Sequence, residues 1–175
     1  MSRGSNVVIK VVAKALAPSQ LADYAAELKA EDARDTTADQ YADIAVVVDV
    51  DQYHDHAKAQ KICTSNGIRL IISNPCFPVW LIDHIRKCPD SYTLTADVEQ
   101  YAANLGVTTG PRHKYIDFEK IDGCLEEALK NAGQHNTSGR RNARNALIND
   151  REQNYAPWTD IPKIIDEWRL QDRAG

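Results

Sequence analysis

The sequence predicts an α/β fold, in which helices cover a parallel sheet, and two observations support this prediction. Short apolar runs rich in valine and isoleucine occur at 7–12, 44–48 and 69–73, which is typical of buried strands. Segments with helical spacing of apolar residues separate these runs. Such a βαβαβ order implies parallel strands joined by right-handed crossovers.

The first two helices are predicted at 18–34 and 55–66. Pro18 suits the first turn of a helix because its φ angle is already helical, and Gly67 is a typical residue just past a helix end. After the third strand, helices are predicted at 77–87, 95–105, 117–131, 139–152 and 159–169, with Thr95, Asp117 and Thr159 as N-caps.

The length of 175 residues suits one core, so we expect a single domain in which 1–90 is the α/β core and 91–175 a mainly helical extension. The net charge of -4 and the pI near 5.7 mean that nucleic-acid binding would require a local basic patch. Four cysteines without a CxxC pair favour reduced, buried thiols over a zinc site. No signal-peptide cleavage pattern or membrane-length apolar run is present, which predicts a cytoplasmic protein.

The most distinctive motif is IAVVVDVD at 44–51, where an apolar strand ends in Asp49 and Asp51. Residues two apart on a strand share a face, and the carboxyl ends of parallel strands are where open α/β sheets bind ligands. Two carboxylates there suit a hard cation such as Mg²⁺. A strand that simply ends in a polar turn is an equal alternative on this motif alone.

A second motif, SNPCFPVWLIDH at 73–84, follows the third strand directly. Asn74 precedes a proline, so a strand-to-helix turn is expected there, beside the two aspartates. The amide of Asn74 could orient a ligand or a metal-bound water. Phe77, Trp80 and Leu81 recur at helical spacing and are expected to pack in the core. His84 either points back toward the turn or is a half-buried, hydrogen-bonded residue, and the second is favoured.

Two basic clusters are candidates for contact with phosphate groups. Arg112, His113 and Lys114 follow one another in a predicted loop. The second cluster is on a predicted helix and consists of Arg140, Arg141 and Arg144. His54 and His56, which flank Asp55, are candidate metal ligands or proton carriers, although a solvated turn is the favoured interpretation for both.

The DxD motif and the GIRLIISNPCFPVWLIDH segment at 67–84 resemble the RloB-like family, whose fold is similar to the TOPRIM domain of topoisomerases, primases and overcoming-lysogenization-defect nucleases. The SNPCF turn followed by a Trp and a His is the specific part of the match. A fainter likeness continues through His113, Lys114 and Tyr115 and through APWTDI at 156–161.

Members of this family are similar to effectors of phage-defence, abortive-infection and restriction-linked loci, and many are encoded beside an ATPase. The resemblance therefore implies a Mg²⁺- or Mn²⁺-dependent nuclease that cleaves RNA, tRNA among the candidates, or DNA, together with an ATPase partner. Asp49 and Asp51 would bind the metal, Asn74 would orient the site and Lys114 would steady a phosphate, with His84 as a further catalytic candidate. The sequence leaves a homo-oligomer open.

Two departures from the family pattern support a rival hypothesis. TOPRIM-type sites also use a glutamate on an N-terminal strand, yet no residue before Val7 is acidic, and Pro78 stands where the family tends to carry a glutamate. Glu27 and Glu31 are poor substitutes because their helix pattern faces solvent. The alternative is a catalytically degenerate subunit with a binding or regulatory role in an ATPase complex. A flavodoxin-like ligand binder is disfavoured because no glycine-rich phosphate loop follows a strand.

Overall fold

The structure is a computed structural model that describes residues 9–37, 39–135, 137–151 and 155–174, with side chains described up to residue 169. Eight α-helices, one short 3-10 helix (Pro111–His113) and five strands lie within these residues. In chain order the α-helices and strands are α1 (Pro18–Asp32), β1 (Ala45–Asp49), α2 (His56–Ser65), β2 (Arg69–Asn74), α3 (Pro78–Asp83), α4 (Thr95–Asn104), β3 (Thr108–Thr109), β4 (Tyr115–Ile116), α5 (Phe118–Ile121), α6 (Leu125–Gly133), α7 (Ser138–Ile148), β5 (Trp158–Thr159) and α8 (Ile161–Ala174).

The main sheet is small and mixed, with strand order β1-β2-β5. β1 and β2 are parallel, with Ala45 opposite Arg69 and Asp49 opposite Ser73. β5 pairs antiparallel with the end of β2. The α/β class is thus confirmed, whereas the prediction of three parallel strands is wrong.

The predicted N-terminal strand is the first error. Residues 9–12 are irregular, with Ile9 65% and Val11 84% exposed, and residues 7 and 8 lie outside the described residues. A β-branched run forms a strand only when a partner strand and a packing face are available. In this structure residues 9–12 have neither, so their β-branched composition was not sufficient to predict a strand.

Helices cover both faces of the sheet. Val46 and Val48 of β1, with Leu70 and Ile72 of β2, pack in one apolar cluster with α1 and α2. Ile71 faces the other way and packs with residues of α3, α6 and α8. A third cluster joins α3 to α4 and to the β3–β4 hairpin. Within the described part of the chain, no helix is long and apolar enough to cross a membrane.

Several helices match their predicted bounds closely, because the apolar periodicity and the residues that start and end helices agree there. α1, α2 and α4 begin at or within one residue of the predicted positions, and Gly67 follows α2 with a φ of 60°. α7 begins one residue early and ends at Ile148; the predicted end at residue 152 lies outside the described residues. Cys63, Cys76 and Cys88 are buried free thiols, as expected, and Cys124 is partly buried.

Two of the predicted helices differ in length or continuity from those in the structure. The helix predicted at 77–87 is shorter, with Phe77 as N-cap and Pro78 at its first position. The helix predicted at 117–131 is divided into α5 and α6, because Gly123 has a φ of 71° that a helix cannot contain. Asp117 is the N-cap of α5, as predicted, and accepts a hydrogen bond from the backbone N–H of Lys120 at 3.2 Å.

The other two predicted N-caps are wrong. Thr95 is the first residue of α4, and Leu94 occupies the cap position. Thr159 belongs to β5, where its hydroxyl lies 2.8 Å from that of Ser73, and α8 starts only at Ile161. The Thr95 hydroxyl donates to Asp51 instead of capping α4. The Thr159 hydroxyl does accept a bond from the backbone N–H of Ile161 at 3.3 Å, but from a position inside β5.

Candidate functional site

Asp49 is the last residue of β1 and lies at the carboxyl end of the parallel pair. Its Oδ1 accepts a hydrogen bond from the backbone N–H of Phe77 at 2.7 Å, so the SNPCF turn holds this carboxylate. Burial raises the pKa of Asp49 to about 6; the Phe77 hydrogen bond opposes the rise, and the negative charges of Asp51 and Glu99 add to it. A cation bound nearby would therefore stabilise the ionised form of Asp49.

Asp51 lies just past the strand in a left-handed conformation, with a φ of 41°. Aspartate tolerates this region better than most residues. Its backbone N–H donates to the carbonyl of Pro75 at 2.9 Å, which ties the two motifs together at one edge of the sheet. Its Oδ1 accepts a hydrogen bond from the hydroxyl of Thr95 at 2.9 Å. The carboxylate is thus exposed but oriented by α4.

Glu99 is a third acid at this site, and sequence reasoning missed it. It follows Thr95 by four residues, so both lie on the same face of α4. The Oε1 atom of Glu99 accepts a bond from the Nζ of Lys114 at 3.1 Å. This spacing could have linked Glu99 to Thr95, yet nothing in the sequence shows that α4 packs beside Asp51.

Lys114 is the predicted phosphate-contacting residue, and its side chain is 65% exposed. It lies close enough to Asp49 for its positive charge to lower the pKa of that carboxyl. The structure therefore brings Lys114 together with the DxD motif, although the two are distant in sequence.

Asn74 lies at the same edge of the sheet as Asp49, at the end of β2. Its Nδ2 donates to the backbone carbonyl of Tyr155 at 2.9 Å, on the side of β5. In this arrangement the amide supports the approach to β5. The backbone bonds that tie this turn to the DxD motif come from the residues on either side of Asn74, since the carbonyls of Ser73 and Pro75 accept from the N–H groups of Val50 and Asp51.

The histidines occupy different environments. His56 is only 1% exposed, and its Nε2 donates to the carbonyl of Asp49 at 2.9 Å, so the expectation of a solvated His56 is wrong. Burial lowers the pKa of His56, which keeps the ring neutral. His54 is exposed. His84 is buried at the end of α3, where its Nδ1 donates to the carbonyl of Trp80 at 2.9 Å; this confirms the favoured interpretation.

The arginines of α7 also divide into two kinds. Arg140 and Arg144 form salt bridges with Asp160 at 2.7 and 2.6 Å, and the carboxylate of Asp160 is only 4% exposed. These two guanidinium groups therefore help to join α7 to the end of β5. Arg141 is exposed and remains available to a ligand, as does Arg112 in the β3–β4 connection.

An open groove adjoins Asp49. Its lining combines a cation, apolar side chains and two aromatic rings, including Lys14, Leu16, Val47, Asp49, Tyr53 and Phe77. Among the described residues, no group of three His, Cys, Asp or Glu side chains is arranged to hold a metal ion. The two aspartates could bind a cation only together with water or with groups of a ligand.

The comparison with protein families agrees with these motifs. The family model described as RloB-like protein matches residues 1–168. The chain belongs to the RloB-like family. No curated protein and no solved structure matched it. In this RloB-like protein, the two motifs that carried the resemblance meet through the bonds from Phe77 to Asp49 and from Asp51 to Pro75.

Proposed function

We propose that this RloB-like protein is a metal-dependent nuclease of TOPRIM-like type that acts in phage defence. The observation that carries the proposal is the position of Asp49. It is a partly buried carboxylate at the carboxyl end of a parallel strand, with Asp51 and Glu99 near enough to help raise its pKa to about 6. Burying negative charge beside negative charge is unfavourable for a stable fold alone, and such perturbed groups are typical of functional sites.

The side chains present suit Mg²⁺ or Mn²⁺. Both ions prefer oxygen ligands, and Mg²⁺ is commonly held by one or two carboxylates plus water and substrate phosphates. Asp49 and Asp51 would supply the carboxylates, which explains why a site without three arranged ligands still fits the ion. When bound, such a cation would act as a Lewis acid on the phosphodiester and would lower the pKa of an attacking water.

The protein's own residues would position these parts. The Phe77 N–H holds Asp49, and the Thr95 hydroxyl holds Asp51. Lys114 would leave Glu99 for a phosphate oxygen when substrate arrives, since an exposed salt bridge contributes little stability. Glu99, once released, would be a carboxylate close to the reacting groups and could accept a proton. It would thus replace the glutamate that Pro78 displaces from the usual family position.

The remaining parts of the proposal come from the family likeness. An ATPase would be the partner that triggers or restrains cleavage, and the substrate would be RNA, with tRNA as a candidate, or DNA. The rival hypothesis, a degenerate binding or regulatory subunit of an ATPase complex, is favoured by Pro78 and by the Asn74 amide, which is bonded to Tyr155.

A cleavage assay separates the two hypotheses. The protein, with its neighbouring ATPase, is incubated with tRNA, single-stranded RNA or DNA in Mg²⁺ or Mn²⁺. We expect cleavage that Asp51→Asn abolishes and that Asp97→Asn, an exposed acid on α4, preserves. If no substrate is cut under any of these conditions, the nuclease hypothesis is wrong and the regulatory hypothesis replaces it.

A further inference from the structure

A short surface segment near the carboxylates presents an arginine, a histidine and two aromatic rings that the core does not use. Arg112, His113 and Tyr115 belong to the β3–β4 hairpin, and Phe118 begins α5. Tyr115 is 63% exposed and Phe118 is 70% exposed. We call these four residues the hairpin face. Large rings left in solvent beside cations are unusual enough to indicate a binding surface.

The ring of Tyr115 is supported without being buried. Tyr115 lies opposite Thr109 in the hairpin, and its neighbour Ile116 packs on the third apolar cluster, so strand alternation directs Tyr115 outward. A Cβ atom at Gly110 would overlap the Tyr115 ring, which shows that the ring lies against the Gly110 backbone. One part of the ring is therefore braced, while most of it is open to a ligand.

The backbone at the tip of the hairpin is strained. Arg112 and His113 have φ angles of 55° and 54°, a left-handed conformation that costs free energy in residues with a side chain. Both side chains are exposed. The strained turn therefore exposes two basic side chains between Gly110 and Tyr115.

The hairpin face is continuous with the carboxylates. Lys114 lies between His113 and Tyr115 in sequence, and its Nζ is 3.1 Å from Oε1 of Glu99. Glu99 lies one helical turn after Thr95 on α4, and the hydroxyl of Thr95 donates to Oδ1 of Asp51 at 2.9 Å. A strand lying along the hairpin face would therefore lead directly to Asp49 and Asp51.

We propose that the hairpin face binds a single-stranded stretch of polynucleotide, with bases stacked on Tyr115 and Phe118 and phosphates held by Arg112 and His113. This inference rests on the proposed nuclease function and specifies the form of its substrate. Unpaired bases offer the flat faces that aromatic side chains stack on, whereas a duplex hides them. A cation beside exposed rings matches the phosphates and bases of a single strand together, and this combination favours nucleic acid as the occupant.

Binding is measured in EDTA, where no cleavage occurs, by fluorescence anisotropy with short single-stranded RNA and DNA and with the matching duplexes. We expect tighter binding of single strands than of duplex. Tyr115→Ala and Phe118→Ala should each weaken single-strand binding roughly 5- to 150-fold, since stacking is worth about 1–3 kcal/mol per base. Tyr115→Phe should restore binding because it retains the ring. Comparing the two single strands shows whether the hairpin face prefers RNA or DNA.

Leu94→Ala is the matched control, because Leu94 is 64% exposed and apolar but has no ring. Arg112→Ala should lower the salt dependence of single-strand binding, and the exposed Arg86→Ala should not. Equal binding of duplex, unchanged binding by the two alanine variants, or an effect on oligomeric state alone would overturn the inference. Single-strand binding by a protein that never cleaves would support the hairpin face and reject only the nuclease proposal.

Discussion

The hydroxyl of Thr95 donates a hydrogen bond of 2.9 Å to Oδ1 of Asp51, so the first turn of α4 orients a carboxylate that follows β1. This contact gives α4 a direct role at the site, and it also brings Glu99, one helical turn further on, toward Asp49. The site is thus built from the sheet edge and from a helix that lies outside the α/β core predicted from sequence.

Thr95→Val tests this contact. A net hydrogen bond is worth about 1 kcal/mol, and Asp51 would lose its fixed orientation, so we expect cleavage to fall roughly 5- to 10-fold with little loss of stability. Thr95→Ser retains the hydroxyl and should behave like the wild type. Single-turnover cleavage rates and urea denaturation of the three proteins provide the comparison. Equal rates for Thr95→Val and Thr95→Ser would show that the bond does not matter.

Glu99 and Lys114 should shift the pKa of Asp49 in opposite directions. Removing the negative charge in Glu99→Gln should lower that pKa below about 6, and removing the positive charge in Lys114→Ala should raise it. NMR titration of the Asp49 carboxyl in EDTA measures both shifts. Asp97→Asn is the control for the first variant and Lys120→Ala, an exposed lysine, for the second. Shifts of the same sign in both variants would contradict the arrangement.

Asp49 should also make the stability of the protein depend on pH. The pKa of Asp49 is raised from 3.8 to about 6 in the folded protein, so ionisation of Asp49 opposes folding. This loss of stability is absent below about pH 4, where Asp49 is protonated in both states, and is complete above about pH 6. Asp49→Asn, which can still accept the Phe77 hydrogen bond, should therefore stabilise the protein at pH 7.5 by up to about 2–3 kcal/mol, and not at pH 4. Urea denaturation in EDTA at the two pH values tests this. A destabilised Asp49→Asn variant at pH 7.5 would contradict the assigned burial.

Two arginines of α7 should affect different properties, Arg144 the stability of the protein and Arg141 its binding of nucleic acid. Arg144→Ala leaves the buried Asp160 with one partner fewer and should lower the free energy of unfolding by roughly 2–4 kcal/mol. Arg141→Ala removes an exposed cation and should leave stability unchanged while weakening nucleic-acid binding and its salt dependence. Denaturation curves and binding at two salt concentrations distinguish the variants. A stability loss in Arg141→Ala as large as in Arg144→Ala would contradict this division.

The placement of Asp49, Asp51 and Asn74 at one sheet edge could be predicted because strand patterns and the parallel crossover rule depend on local sequence. The role of α4 could not, since no periodicity shows which surface a helix packs against. Asp160 is distant in sequence from Arg140, so the arginine cluster looked free. The strand expected at 7–12 fails in the described residues 9–12 because β-branched residues need a partner strand.

The central claim is that Asp49 and Asp51 form a cation site completed by a nucleic-acid ligand, and paramagnetic broadening by Mn²⁺ in NMR spectra tests it most directly. The titration uses the protein with and without a non-cleavable single-stranded oligonucleotide. We expect weak broadening alone and strong broadening with oligonucleotide at Asp49, Asp51, Phe77 and Thr95, abolished by combining Asp49→Ala with Asp51→Ala. Strong broadening elsewhere, or broadening that survives the double substitution, would contradict the claim.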